Sequence, residues 1–383
     1  MPGRDVNADD ADVARRIADL RTLARERLTP IAGAGTPGRV DRDLVAALAD
    51  TGLLPRLFPR ELGGTVDGHV SASELCTIRE ALASESPTAE TTLAVQGLGS
   101  YPILQSGSET QTERWIPAVA TGRAVAAFAL TEPDAGSDAA ALALAADTDG
   151  DGYRLTGEKV WISHAPDADV YTVFARTTPD AGARGVTAFV VPGDSPGLSG
   201  ESLELVAPHA VGRLVFDGVR VDRDQVLGEV DGGFRVAMTT LDRFRPSVGA
   251  AAVGLAQAAL EAAIDHADTR EAFGGPIRQF QAISHRLADM ATTIQASRLL
   301  VRDAAAAHDR GERATRQAAM AKLFATETAQ EVVDGAIQIH GAVGLQRGHL
   351  LEHLYREVRA LRIYEGTSEI QRTIIARELY RDK

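Results

Sequence analysis

Arg359-Ala-Leu-Arg-Ile-Tyr-Glu-Gly-Thr-Ser-Glu-Ile-Gln-Arg-Thr-Ile-Ile-Ala-Arg-Glu-Leu379 sets a carboxylate, Glu365, on a glycine turn directly before a helix. Gly366 permits the sharp turn. Ser368 with Gln371 three residues on reads as a capping box, and the pairs Ile370/Ile374 and Ile375/Leu379 supply apolar contacts along the helix that follows. Taken alone, the stretch is equally well read as a surface glutamate beside a helix N-terminus, where the macrodipole favours any anion.

Upstream of this turn the pattern is helical for more than a hundred residues. Phe234 to His266, Arg278 to Arg310, Ala314 to His340 and Leu350 to Leu361 repeat apolar residues at helical spacing, with Ile283, Leu287, Met290 and Ile294 as one core stripe. Gly274-Gly-Pro276, Gly311 and Gly341 separate them by loops short enough for antiparallel neighbours in a bundle. His349-Leu-Leu-Glu-His353 has the order of an inverted zinc-protease motif, but no third ligand is evident, and a partly exposed helix explains it.

Before the bundle, Phe128 to Leu130, Tyr153 to Ser163, Val170 to Arg176, Val186 to Val191 and Arg213 to Val221 are short β-branched or aromatic runs between Gly, Pro and Asp clusters, which predicts a small barrel or sandwich. Asp147 to Glu158 fits the calcium-loop pattern of an EF-hand, yet Glu158-Lys-Val-Trp-Ile-Ser continues as strand and Asp149-Gly and Asp151-Gly are hairpin dipeptides. The first part is helical again: Ala11 to Arg27, Asp43 to Ala49, Ser71 to Ser84 and Gln111 to Ala120, with Pro59, Gly63-Gly64 and Pro87 as punctuation. Gly33-Ala-Gly-Thr-Pro-Gly38 matches the glycine pattern of a dinucleotide loop but follows a charged helical segment where that motif needs a strand. The expected organisation is mainly α with a central β domain: a helical domain over 1–124, a β domain over 125–231 and a helical bundle over 232–383.

A chain of 383 residues, 44% hydrophobic, holds two or three packed domains, and no stretch is counted as apolar enough to span a bilayer. The polar, acidic Met1 to Asp10 shows no targeting signal, so a cytoplasmic location is the expectation. Cys76, the sole cysteine, excludes an internal disulfide, and its neighbours Leu75 and Ile78 suggest a packed thiol. The net charge of -13 repels polyphosphate, so nucleic acid is not the expected partner.

Five stretches in order resemble the FAD-dependent acyl-CoA dehydrogenases, from about Asp41 to the end: Leu130-Thr-Glu-Pro-Asp-Ala-Gly-Ser-Asp138, Gly157-Glu-Lys-Val-Trp-Ile-Ser163, Arg270-Glu-Ala-Phe-Gly274 with Phe280-Gln281, Gln338-Ile-His-Gly341, and Tyr364-Glu-Gly-Thr-Ser-Glu-Ile-Gln-Arg372. The resemblance implies an N-terminal helical domain, a β domain and a C-terminal four-helix bundle, assembled as a homotetramer. It places the flavin against Leu130, Thr131, Trp161, Ile162 and Ser163, with the Ser163 hydroxyl near flavin N5. Gly136 and Ser137 would lie between flavin and thioester. Arg270, Phe273, Gln281, Gln338 and Gly341 would reach the FAD of a neighbouring subunit, Arg270 as a charge-assisted donor to its pyrophosphate. Thr367 and Glu369 would contact the cofactor behind the turn, while Asp242, Arg245, Tyr364 and Gly366 would contact substrate.

By the same resemblance Glu365 is the base that removes the proton beside the thioester carbonyl. Its backbone N–H and the flavin ribityl hydroxyl would stabilise the enolate oxygen, and a hydride would leave the next carbon for flavin N5. Some relatives carry this glutamate at the position matching Phe244, which is apolar here. Two departures are visible: Ala342 where a second glycine is usual, and His353 where an arginine is usual. Thr91 to Ser100 would line the acyl end, where Gln96 suggests a polar tail. The expected reaction is α,β-dehydrogenation of an acyl-CoA or carrier-protein thioester, with electrons passed to an acceptor such as an electron-transfer flavoprotein. The alternatives are a flavin oxidase or monooxygenase on the same fold, distinguished by rapid reaction with oxygen, and a nucleic-acid-binding flavin relative, which needs a basic groove.

Overall fold

Val13, Ile17, Leu20 and Leu23 recur at helical spacing, and a helix α1 forms over Val6–Leu23, running on through a π-helical turn into α2, Thr29–Ala32. The computed structural model describes residues 6–68 and 70–381. Met1 to Asp5, part of the stretch examined for a targeting signal, lie outside them. Asp41 caps α3, Arg42–Asp50, by accepting from the N–H groups of Asp43 and Leu44 at 3.0 and 3.1 Å. Ser71 caps α4, Ala72–Glu85. Then come α5, Pro87–Ser106, and α6, Glu109–Ala120, which opens on a Ser108/Gln111 capping box.

Pro87 punctuates the chain, between the end of α4 at Glu85 and the start of α5, but the helix that follows it lies outside those expected from the sequence. Proline at the first helical position lacks only a donor that would have no partner there, so it starts this helix instead of ending one. Its Gly99 is required by close approach: a Cβ would stand 2.5 Å from the backbone N of Ala127. Gln96 is fully buried, accepting from Ala126 N at 2.7 Å and donating to Ala124 O at 2.9 Å. Its amide is thus spent on the first strand, and the polar acyl tail inferred from it loses its support.

The strands are β1 (Ala126–Ala129), β2 (Ala145–Asp149), β3 (Gly152–Ser163), β4 (Val170–Arg176), β5 (Val186–Pro192), β6 (Leu198–Ser202), β7 (Val211–Val221) and β8 (Val226–Leu227). They form one eight-stranded sheet in the order β6-β7-β3-β2-β4-β5-β8, with β1 paired parallel to β4. Strand β4 is buried from Val170 to Ala175, which explains its apolar run; Thr172 within it donates to Gly99 O at 2.9 Å. The stretch that carries the calcium-loop pattern is the β2–β3 hairpin, as its turn dipeptides indicate, and Asp149 Oδ2 is engaged by Arg154 at 2.7 Å and Arg220 at 3.2 Å.

The remaining elements are α7 (Gly233–Thr269), a hairpin of β9 (Glu271–Ala272) and β10 (Gly275–Pro276), α8 (Gln281–Asp309), α9 (Thr315–His340), α10 (Leu350–Leu361) and α11 (Ser368–Arg381). The chain divides into two compact units. One gathers Met1–Thr29, Ser71–Glu90 and Asp242–Lys383; the other gathers Pro30–Val70 and Thr91–Leu241 and carries the sheet. In the helical unit, Ala72, Cys76 and Ala83 of α4 share one core with Val248 to Ala267 of α7 and with residues of α8, α9 and α10. Burial pushes the Cys76 thiol up to about 12, so it stays protonated and inert. By length and composition α7 could cross a bilayer, which corrects the expectation that no stretch is apolar enough. However, 78% of its most apolar window is buried inside the protein, as in a core helix.

Two motifs of the sheet unit are tied by one ion pair. Lys159 Nζ, fully buried, donates to Glu132 Oε1 at 2.7 Å and to Leu130 O at 2.9 Å, while Glu132 accepts from the N–H groups of Ala143 and Leu144 at 2.6 and 2.9 Å. Breaking such a pair strands a buried charge. Lys159→Met should therefore lower stability by about 3–5 kcal/mol, and adding Glu132→Leu should recover part of the loss. Thermal denaturation of Lys159→Met, Glu132→Leu and the double variant tests this; a double variant that loses the sum of both single effects would show the charges to be uncoupled.

Candidate active site

The turn before α11 is built on two consecutive residues with positive φ, Glu365 at 52° and Gly366 at 91°. For a non-glycine residue that conformation is costly, about 1–3 kcal/mol, and persists only where surrounding groups hold it. Three side chains do so. Arg245 Nε donates to Glu365 O at 3.2 Å, Lys322 Nζ donates to Gly366 O at 2.7 Å, and Gln371 Nε2 donates to both carbonyls at 3.2 and 2.9 Å. Gly366 is required twice over, because a Cβ there would also meet Gln371 Nε2 at 2.7 Å.

The capping box expected from Ser368 and Gln371 is not formed. Helix α11 begins one residue earlier than that motif assumes: Thr367 Oγ1 accepts from Ile370 N at 3.3 Å, Ser368 donates to Glu327 Oε1 at 2.5 Å, and Gln371 braces the turn. Ile374 is buried, but Leu379 is 52% exposed, so the second apolar pair does not pack as expected.

Glu365 as a residue is half-buried, yet its Oε2 is enclosed and has no hydrogen-bond partner among the described residues. Burial raises its carboxyl above the usual range; Arg79, Lys322 and Arg245 pull it down, and Glu90 adds to the rise. The result is a carboxylate more basic than an exposed glutamate, kept close to cations that limit the shift. Arg245 is buried and also paired with Asp242, so its donors serve the turn and its neighbour. Tyr364 is 38% exposed, Glu369 is exposed, and Phe244 is a buried apolar side chain.

At the other end of α7 stands a second group. Roughly 37 Å of helix separate Arg245 from Arg270, at 1.5 Å per residue. Arg270, Gln281, Gln338 and Gly341 are exposed, and the guanidinium of Arg270 has no ion-pair partner among the described residues. Phe273 is 98% exposed at φ 51° and meets Phe280 edge-on at 5.9 Å. An aromatic ring held in a strained backbone and left to solvent is poorly explained by packing and well explained by a ligand or partner. His340 stacks on His266 at 4.1 Å and meets His349 at 5.3 Å, a cluster the sequence did not reveal because its members come from three elements.

In the sheet unit, Leu130 and Ile162 are buried, so Ile162 offers a ligand only its backbone; Thr131 and Ser163 are partly exposed; Gly136 and Ser137 are exposed. Trp161 is 57% exposed at φ 59°, and the β3–β7 register shifts between Lys159 and Ile162. Such a bulge re-aims a side chain. Within the sheet unit the displayed indole and hydroxyl suit a planar ring; within the helical unit, taken by itself, the unpaired guanidinium and displayed phenyl ring suit an anionic group.

Family models named acyl-CoA dehydrogenase N-terminal, middle and C-terminal domain match residues 15–123, 127–219 and 231–380. Cyclohexane-1-carbonyl-CoA dehydrogenase of Geobacter metallireducens is 36% identical over 367 residues, 95% of this chain and 96% of that protein. The structure of butyryl-CoA dehydrogenase from Megasphaera elsdenii superposes with a TM-score of 0.90 at 34% identity, covering 95% of this chain and 98% of the other. The FAD complex of PigA superposes with a TM-score of 0.91 at 27% identity, covering 100% of both chains.

Lys322 gives the turn a pH dependence of its own. Burial pushes its ammonium down to about 8 from 10.5. Between those values the unfolded chain binds the proton that the native chain has shed, so the lysine's contribution to stability rises with pH across that window. The stability difference between wild type and Lys322→Met should grow by up to about 3 kcal/mol from pH 7.5 to 10.5. Urea unfolding at several pH values measures it; a flat or falling difference would contradict a depressed Lys322.

Proposed function

The chain belongs to the acyl-CoA dehydrogenase family, and from that premise we propose that it carries out flavin-dependent α,β-dehydrogenation of an acyl-CoA, with Glu365 as the base. The observation that carries this assignment is the enclosed, unpartnered Oε2 of Glu365 on a braced positive-φ turn. Burial raises its basicity, and Arg79, Lys322 and Arg245 limit that rise. Removing the proton beside a thioester carbonyl puts negative charge on the carbonyl oxygen, so an N–H donor is needed there; the Glu365 backbone N–H is the one we assign. Phe244 is apolar, so no second carboxylate stands at the alternative position for the base.

FAD is the cofactor we assign. When bound, its isoalloxazine supplies the two-electron acceptor for the hydride leaving the β-carbon. Leu130, Thr131, Trp161, Ile162 and Ser163 would hold the ring, with Gly136 and Ser137 between it and the thioester. Arg270, Phe273, Gln281, Gln338 and Gly341 would hold the FAD of a neighbouring protomer in a homotetramer. The length of α7 supports that split, because about 37 Å of helix keeps Arg270 from serving the same site as Glu365 of its own chain. Thr367 and Glu369 contact the cofactor behind the turn; Asp242, Arg245, Tyr364 and Gly366 face substrate. The three-domain division at 124/125 and 231/232, an electron-transfer flavoprotein as acceptor and a cytoplasmic location belong to the same proposal.

Two variants test it. Glu365→Gln preserves shape and removes basicity, so it should retain the flavin and bind acyl-CoA without bleaching the flavin absorbance on mixing. Bleaching at wild-type rate would remove Glu365 from the reaction. Arg270→Ala should weaken FAD binding by about 1.5–3 kcal/mol, roughly ten- to a hundredfold, and loosen the oligomer with it. Loss of FAD with an unchanged sedimentation profile would separate the two.

A further inference from the structure

Arg79 of α4 and Glu90 of α5 form an ion pair with residue exposures of 2% and 4%, and neither belongs to the positions assigned above. An ion pair so deep is weak grounds for stability, since well-packed apolar residues of similar volume commonly do as well or better. Its surroundings suggest another use. Arg79 Nη1 donates to Ser247 Oγ at 2.6 Å, and that hydroxyl donates to Phe244 O at 2.7 Å. Arg245, which with Pro246 lies between them, donates to Glu365 O. One short segment of α7 therefore holds Arg79 on one side and the turn of Glu365 on the other.

We propose that Arg79 and Glu90 are a buried positioning pair for the base: Arg79 favours the ionised form of Glu365, and Glu90 sets how strongly it does so. This rests on Glu365 being the base. Among the charges acting on its carboxylate, Arg79 is the strongest attraction, ahead of Lys322 and Arg245, and Glu90 acts with the opposite sign. The other ionisable groups around the turn are Asp242 on α7, Glu327 on α9, Glu357 on α10, Tyr364 on the turn and Glu369 on α11. Asp242 is paired with Arg245 and Glu327 with Arg362 on the chain before the turn, Glu369 lies on the exposed side of α11, Glu357 acts on Tyr364, and Tyr364 acts on Arg79. Arg79 and Lys322 both combine deep burial and a hydrogen-bonded orientation with a pull on Glu365, but Lys322 also braces the turn through Gly366 O, whereas Arg79 makes no hydrogen bond to the turn among the described residues. Removing Arg79 without removing Glu90 would leave two carboxylates facing each other in a low dielectric, and one of them would take up a proton.

The proposal fixes the sign of two changes in opposite directions, which a purely structural role for the pair does not. In the FAD-loaded enzyme, the rate of flavin bleaching by acyl-CoA rises with pH as the base ionises. Glu90→Gln keeps the volume and removes only the opposing charge, so this limb should move to lower pH by about 0.5 unit or more. Arg79→Gln with Glu90→Gln makes the pair neutral, and the limb should move above its wild-type position. Because Glu90→Gln is nearly isosteric, it carries the test even if the double variant does not fold. Glu365→Gln, run alongside, separates the two ideas. If it bleaches normally, the base assignment fails. If it is silent while the limb of Glu90→Gln stays at the wild-type pH or moves upward, the positioning role is overturned and the base assignment stands.

Discussion

Everything proposed for this protein depends on a backbone conformation that a glutamate does not adopt by itself. Positive φ at Glu365 costs about 1–3 kcal/mol. Donors on charged side chains contribute about 1.5–3 kcal/mol each, and two of the three donors on this turn are charged. Arg245 and Gln371 offset the strain, and Lys322 adds a third anchor whose buried ammonium carries a desolvation cost, so the turn is a fixed feature. Lys322 and Arg245 also lie close enough to act on the carboxylate itself, so the groups that hold the backbone are among those that limit its basicity.

Most of the architecture was legible in the sequence, for a simple reason. Helices α8, α9 and α10 and strands β3, β4, β5 and β7 carry their periodicity over many residues, and the structure places them within a few residues of the expected bounds. The failures came where one residue type has two meanings. Pro87 marks a boundary, and at the first helical position it also starts a helix that the boundary alone does not reveal. Gly99 weakens a helical reading, yet it is there because a strand backbone lies against it. Strands β2 and β6 were missed because their exposed polar residues hide the alternation. The sheet is mixed, and its parallel pair β1–β4 brings together strands 44 positions apart, which no local pattern reports.

The site divides in the same way. Residues on its motifs could be named from the sequence, because a glycine turn before a helix and a tryptophan in a strand leave local marks. What those residues do to one another could not. Lys159 and Glu132 lie in two separate motifs, and only the fold shows them as one buried pair holding both in place. Gln371 looked like a cap and proved to be a brace, because the choice between them turns on a one-residue difference in where α11 begins. Arg79, Glu90 and Lys322 lie on no motif at all. Their importance comes from three-dimensional proximity to one carboxylate.

That proximity bears on how a glutamate can be both enclosed and useful. Burial alone would drive Glu365 toward the protonated form and leave it unable to accept a proton at neutral pH. Full neutralisation by a direct salt bridge would go too far the other way, fixing the charge and lowering its basicity. The structure takes neither course: Oε2 makes no hydrogen bond, while the cations nearest to it are engaged elsewhere, Arg79 with Glu90 and Ser247, Lys322 with Gly366 O, Arg245 with Asp242 and Glu365 O. Each cation thus acts through space on a carboxylate it does not hold. An attraction of that kind falls gradually with distance, so a change in charge at Glu90, which is not among the groups that brace the turn, tunes the base without disturbing them.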